Sequence, residues 1–424
     1  MTRHTGRSAF MTSLTFLIVA FCLISGTAQA GEKTIFSFPS NGSGGASVPG
    51  NLVFDPSATH LYGTTLEGGV FDLTHCAGSC GVVFELTRTA SGPWQETVIH
   101  EFAGGVDGAV PHSGLVADAK GNLYGTTDYG GQGAHCGNVQ IGCGTVFRLR
   151  HTPSGWSETI LHAFSGASDG SYVQGPVVLD AQGNLYGTTS GDGDPVCKCG
   201  TVFEIQHLAN GHWSKKRLYA FTSGSDGAAP FAGLALDGSG NLYGTTRDGG
   251  SFNSGTVFKL SPAGGGAWTE SVIYTFGSAA GDGSWPSGDL MIDSQGNLYG
   301  TTSGGGAGFG TVFELSPSGG SWTENTMHTF QSGADGSTPY SSLTFDSAGN
   351  LYGTTFTGGT NNAGTVYELS PAGGGIWTET LPIVFNGKNG LQITGGVIFD
   401  KQGNFYGGTE AGGGAGLVYE FVPR

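Results

Sequence analysis

Charge is scarce in this chain: charged residues make up 11% of its 424, against about 25% in an ordinary soluble domain. The charge present leans one way, with 16 Lys and Arg against 32 Asp and Glu and a net charge of −16. An acidic, lysine-poor surface repels polyphosphate, which argues against nucleic acid as a partner. Past residue 30, no apolar run approaches the ~20 residues needed to cross a bilayer as a helix. No stretch there sustains apolar spacing at helical period either, so helix should be essentially absent. The strand-to-helix nucleophile elbow of hydrolases, the His-Glu-x-x-His helix and the phosphate-binding P-loop are all missing. These absences weaken the case for an enzyme without closing it, and no cofactor or metal is implied.

What the chain has instead is a repeat. Tyr-Gly-Thr-Thr opens at Tyr62, Tyr124, Tyr186, Tyr243, Tyr299 and Tyr352, and a degenerate Tyr-Gly-Gly-Thr opens at Tyr406. A period of about 53 to 62 residues along a whole chain marks a repeat architecture rather than unrelated domains. The second copy shows the unit. Its four runs are Gly114–Asp118, Leu123–Thr127, Gly144–Leu149 and Trp156–Phe164, separated by Gly, Asn, Asp and Pro. Runs rich in β-branched and aromatic residues between such breakers read as four strands, A to D. Strand A is a continuous apolar run, as at Leu234, Met291 and Val397, which suits burial on both faces. Strand C carries one charge (Glu204, Lys259, Glu314), and strand D mixes Trp, Ile and Phe with Thr, Ser and Glu. Polarity rises from A to D, so A belongs at the centre of the molecule and D on its rim.

The seventh copy has strands A, B and C (Val397–Asp400, Phe405–Thr409 and Gly416–Phe421) but no D. Residues 32–38 match a strand D that precedes any strand A. The orphan fits the vacancy, and closure removes two ragged sheet edges. The expected fold is all-β: one seven-bladed β-propeller of four-stranded antiparallel blades over residues 31–424, closed by the N-terminal strand.

Gly183–Thr189 together with Gly200–Ile205, and their counterparts in the other copies, resemble the tandem repeat of the Gloeobacter/Verrucomicrobia (GloVer) family of choice-of-anchor bacterial proteins. The resemblance covers essentially all of the chain after residue 30. It implies a bacterial exported repeat protein of unestablished biochemical role. Members often carry a C-terminal anchoring segment, whereas here Phe421-Val422-Pro423-Arg424 follows strand C directly.

Arg3 and Arg7, an apolar core from Leu14 to Ile24, and Ala28-Gln29-Ala30 have the form of a secretory signal peptide cut before Gly31. Phe21 before Cys22 is too large for a lipidation site. The product is expected in the periplasm or outside the cell, as a monomer. The other six cysteines fall in the B–C loops of the first three repeats, as Cys76/Cys80, Cys136/Cys143 and Cys197/Cys199. In an exported protein such pairs read as disulfides. Cys197 and Cys199 are close for a relaxed bridge, and could instead pair elsewhere.

Strand order puts the D–A and B–C loops on one face, where a site should be sought. The D–A loops repeat Asp-Gly at Asp107, Asp169, Asp226, Asp282 and Asp335, often with proline shortly after. A ring of carboxylates could bind cations or sugar hydroxyls. The plainer reading is turn chemistry, with Asp accepting backbone hydrogen bonds and Gly at positive φ. The Asp that ends strand A, as at Asp118 and Asp180, reads as a turn cap. His100, His162 and His328 share one position with Tyr219 and Tyr274, an interchange that argues for packing. Blades 1–3 carry longer loops with His75, His112, Tyr129 and His135, the only candidates for an asymmetric site. The function expected is a binding module, with extracellular glycan or a surface protein as its partner, presenting repeated weak sites. A polysaccharide hydrolase or lyase on the same scaffold, or a structural envelope component, is the alternative.

Overall fold

The computed structural model describes Met1 and residues 31–423, except 41–43, 77, 90–92, 132–135 and 137–140. The leader and His135 lie outside the described residues. Seven four-stranded antiparallel blades form a β-propeller. Blade 3 is representative: strands A to D are Val178–Leu179, Leu185–Thr189, Thr201–His207 and Trp213–Ala220, hydrogen-bonded in that order. Blade 5 adds Gly283–Pro286 along the far end of its long B strand, Leu298–Gly305. Among the described residues there is no α-helix, only three single 3₁₀ turns in the D–A loops, at Gly105–Asp107, Ala167–Asp169 and Gly333–Asp335. No described helix is long and apolar enough to cross a membrane.

The motif Leu-Tyr-Gly-Thr-Thr is strand B, and it is buried throughout. Each residue has a separate task, seen in blade 3. Leu185 packs in the seam with the preceding blade, beside Val146 and Phe164. Tyr186 OH donates to Asp180 Oδ2 at 3.1 Å, while Asp180 Oδ1 accepts the Gln182 and Asn184 amides, so the carboxylate caps the A–B turn as expected. Gly187 leaves room for Phe203: a Cβ there would stand 2.6 Å from the ring's Cζ. Thr188 Oγ1 donates to the Ala232 carbonyl of the next blade at 2.8 Å, and Thr189 Oγ1 pairs with Thr201 Oγ1 of strand C at 2.8 Å. The first threonine makes the same inter-blade bond from Thr64, Thr126, Thr301 and Thr354. It therefore fixes the next blade's D–A loop where that loop reaches the axis.

Apolar clusters fill the seams between blades. One joins Tyr186, Val202 and Phe221 of blade 3 to Leu234, Leu242 and Phe258 of blade 4. The closing seam is built the same way, with Ile35, Phe38, Tyr406 and Val418 of blade 7 against Leu52, Leu61 and Phe84 of blade 1. Gly31–Ser37 pairs antiparallel with strand C of blade 7, from Gly31 opposite Val422 to Ser37 opposite Leu417. The N-terminal strand thus supplies the outer strand of the last blade. Strand A departs from its expectation: it pairs over only two residues per blade, and these are mostly half-buried rather than enclosed on both faces. The reason is its place at the ring's inner edge, where one face looks into the axial space.

The six loop cysteines pair within their own loops, Cys76–Cys80, Cys136–Cys143 and Cys197–Cys199. The last pair forms despite its short separation. D–A and B–C loops meet on one face through bridges such as Ala109 with Tyr129, Ala228 with Asp248 and Ser337 with Thr357.

Candidate functional site

On that face the ring opens into an axial cavity of about 640 Å³, within the size range of small-molecule sites. Its walls come from three loop positions in each repeat. One is the residue that follows the loop proline or its equivalent: Pro49, His112, Gln174, Phe231, Ser287, Tyr340 and Thr394. A second lies two residues further on, and includes Asn51, Asp289 and Ser342. The third follows strand B's Thr-Thr, and includes Arg247, Phe356 and Glu410. The scaffold residues around these positions repeat from blade to blade. The positions themselves hold seven nearly different side chains. A uniform ring thereby carries one asymmetric cavity.

Backbone anchoring holds these side chains in place. Asn51 takes the Gly396 amide on Oδ1 at 2.6 Å and donates from Nδ2 to Ser342 Oγ at 2.6 Å. It ties the inner loop of blade 1 to those of blades 6 and 7. Asp289 Oδ1 accepts the Gly233 amide at 2.6 Å, and its deep setting raises its carboxyl pKa. Thr394 Oγ1 donates to Glu410 Oε1 at 2.7 Å. The Arg247 guanidinium lies 5.4 Å from the centre of the Phe231 ring, and Tyr340 meets Phe356 edge-on at 5.6 Å. The buried Asp128 accepts Gln174 Nε2 at 3.1 Å, and Gln174 Oε1 in turn accepts Ser190 Oγ at 3.1 Å. Burial drives the Asp128 carboxyl upward against the lowering pull of His112. The cavity therefore offers aromatic faces, a cation, two carboxylates and amides on a braced frame.

Of the residues singled out in the sequence, the structure brings His112 into this cavity. His75 pairs with Asp72 at 2.7 Å on the exposed blade 1 loop, and Tyr129 packs edge-on against Tyr172 between loops. The Asp-Gly carboxylates lie away from the axis, between blades. Asp107, Asp169, Asp226, Asp282 and Asp335 accept the amides of Ala103, Ser165, Thr222, Ser278 and Gln331 at 2.6–3.0 Å. Contrary to the sequence reading, one Gly-x-Ser-x-Gly string does occur, Gly166-Ala167-Ser168-Asp169-Gly170, but Ser168 sits in a 3₁₀ turn with no helix following, so it forms no strand-to-helix elbow. Arg247, Asp289, Gln174 and Glu410 escaped the sequence reading. Their signal was present as departures from the repeat at otherwise equivalent loop positions.

One seam carboxyl has a measurable pH signature. Burial, with the Asp226 charge nearby, pushes Glu270 up to about 7 from the usual 4.5. A carboxyl raised by folding favours the fold while it is protonated. Its contribution is full below about pH 4.5 and is lost as pH climbs through about 7. Glu270→Gln should therefore raise the thermal midpoint at about pH 8, flatten the decline from about pH 5, and change little at the acid end. Parallel pH profiles for parent and variant would refute this.

Residues 23–238, 134–347 and 195–421 match the sequence profile described as the Gloeobacter/Verrucomicrobia repeat. The matches overlap, as a profile of several repeats must when slid along the ring by whole blades. No curated protein matches the chain. Solved structures share the fold. A Bacteroides uniformis protein provisionally identified as a 6-phosphogluconolactonase has a TM-score of 0.53 at 16% identity, covering 80% of this chain and 86% of its own. The periplasmic gluconolactonase of Pseudomonas aeruginosa gives 0.50 at 16%, covering 82% and 86%. A Lactobacillus plantarum protein gives 0.51 at 13%, covering 80% and 85%.

Proposed function

The chain belongs to the Gloeobacter/Verrucomicrobia repeat family, and from that premise we propose that it is an exported binding module whose axial cavity takes a carbohydrate, such as the end of an extracellular glycan. The observation that carries this reading is the asymmetric cavity. Phe231, Tyr340 and Phe356 suit the apolar CH faces of a sugar ring, while Asn51, Gln174, Arg247, Asp289 and Glu410 suit its hydroxyls and any carboxylate. Export is supported by the leader-like first 30 residues and the three local disulfides. A single asymmetric pocket fits one ligand per ring better than the repeated weak sites that the Asp-Gly loops suggest.

A glycan-array screen followed by calorimetry tests the proposal. Saturable binding is expected, with Arg247→Ala or Asp289→Asn weakening it by about 30-fold, the worth of roughly 2 kcal/mol for a lost charged hydrogen bond. His75→Ala should leave it unchanged. Binding that survives both cavity variants would move the ligand elsewhere.

A second reading, hydrolysis of a sugar ester or lactone in the same cavity, is favoured by one observation. His112 shares the cavity with Arg247 and Glu410 and lies near enough to the buried Asp128 for its charge to pull that carboxyl's pKa down; two structural neighbours also bear gluconolactonase names. Released product in the binding assay would select it.

A further inference from the structure

The seams between blades carry a second set of ionisable side chains that the axial cavity does not use. Between blades 1 and 2, His100 Nε2 lies 3.5 Å from Asp107 Oδ1 and 3.4 Å from Glu158 Oε1. Between blades 5 and 6, His328 Nε2 lies 3.2 Å from Asp335 Oδ1 and 3.6 Å from Glu379 Oε1. In each seam the three atoms all fall within 4.8 Å of one another. We propose that each of these two clusters binds a zinc-sized divalent cation that staples neighbouring blades together at the rim.

The spacing fits such an ion. Tetrahedral zinc with bonds of about 2.0–2.1 Å holds its ligands about 3.3 Å apart, close to the His–carboxylate separations here. Unsatisfied donors and acceptors point the same way. His100 Nε2, Glu158 Oε1 and Glu379 Oε1 are shielded from solvent and make no hydrogen bond, an arrangement that demands an explanation in a folded protein.

The remaining seams show what the position accepts. Between blades 2 and 3, His162 and Asp169 recur, but Lys215 stands where the glutamate would be. Its ammonium sits 2.7 Å from Asp169 Oδ1 on a side chain only 8% exposed. The chain there supplies its own cation at the equivalent place. In two further seams Tyr219 and Tyr274 replace the histidine, and Tyr219 donates a hydrogen bond to Asp226 at 3.1 Å. A neutral phenol is a poor metal ligand, so only the two histidine–glutamate seams qualify. One imidazole with two carboxylates favours zinc, manganese or iron over calcium or magnesium.

The test uses the purified full chain, stripped with a chelator and titrated with zinc chloride, with retained metal counted after gel filtration. About two equivalents are expected, together with a rise in thermal midpoint. Glu158→Lys, which copies Lys215, should lose one equivalent, and combining it with Glu379→Lys should lose both and abolish the thermal shift. His100→Tyr, which copies Tyr219, provides a second route to the same loss should a lysine variant misfold. A parent that retains no zinc overturns the proposal. So do folded variants that retain as much as the parent, since the metal would then sit on other histidines.

Discussion

Deleting residues 31–38 lowers the thermal midpoint by about 10 °C or more, and the shortened protein associates with itself. The deletion removes Ile35 and Phe38, both buried in the closing seam, where Phe38 meets the ring of Phe84 at 5.1 Å. Losing two such side chains costs on the order of 6 kcal/mol, which for a domain of this size is about 10 °C. It also takes the Asn389 hydrogen bond to Glu32 at 2.7 Å and bares the edge of Leu417–Val422. A bare, apolar strand edge is a template for a second chain. Thermal scans and gel filtration at several concentrations measure both effects. A synthetic peptide of residues 31–38 should reverse them by refilling the vacancy. An unchanged midpoint would mean that the ring does not depend on this strand.

Gly187→Ala should destabilise the protein by about 2–3 kcal/mol, although it adds only a methyl group. The backbone at Gly187 is ordinary strand, so conformational freedom is not the issue. The methyl would stand 2.6 Å from Phe203 Cζ, and Phe203 is fully buried with no direction in which to yield. The same collision recurs between Gly63 and Phe84, Gly125 and Phe147, and Gly244 and Phe258. Shortening the ring should give the methyl room. Phe203→Leu alone will also destabilise, but in combination with Gly187→Ala the two losses should fall well short of their sum. Urea denaturation of the four proteins decides it, and strictly additive losses would refute the packing explanation.

This contact explains why so much of the fold was legible. Tyr, Gly, Thr and Thr each answer to a neighbour at a fixed distance along the chain or in the adjacent blade, so the same physics rewrites the same letters six times and three of the four in the seventh copy. Ring closure was legible for a related reason: a missing strand D and a surplus one both show against a strict repeat. Strand A was over-read, because an apolar run does not reveal how briefly it pairs at a crowded inner edge. The candidate site was mostly hidden. Arg247, Asp289 and Glu410 come from loops far apart in sequence, and nothing local marks them. His75 and Tyr129 drew notice by lying near cysteines, yet their loops pack among themselves outside the axial cavity. The Asp-Gly carboxylates do not reach the axial cavity: they accept their own loop's amides between blades, where Asp107 and Asp335 also join the two proposed cation clusters.

The pairing of Gly31 with Val422 also imposes a timetable. The outer strand of blade 7 is the first of the propeller to be synthesised, and the strand it must join is the last. Until then Ile35 and Phe38 have nowhere to be buried, and contacts of such long range form slowly. A chain that terminates early can never complete its final blade. It would keep an apolar segment and an open edge on display, the features by which quality-control machinery recognises unfinished protein.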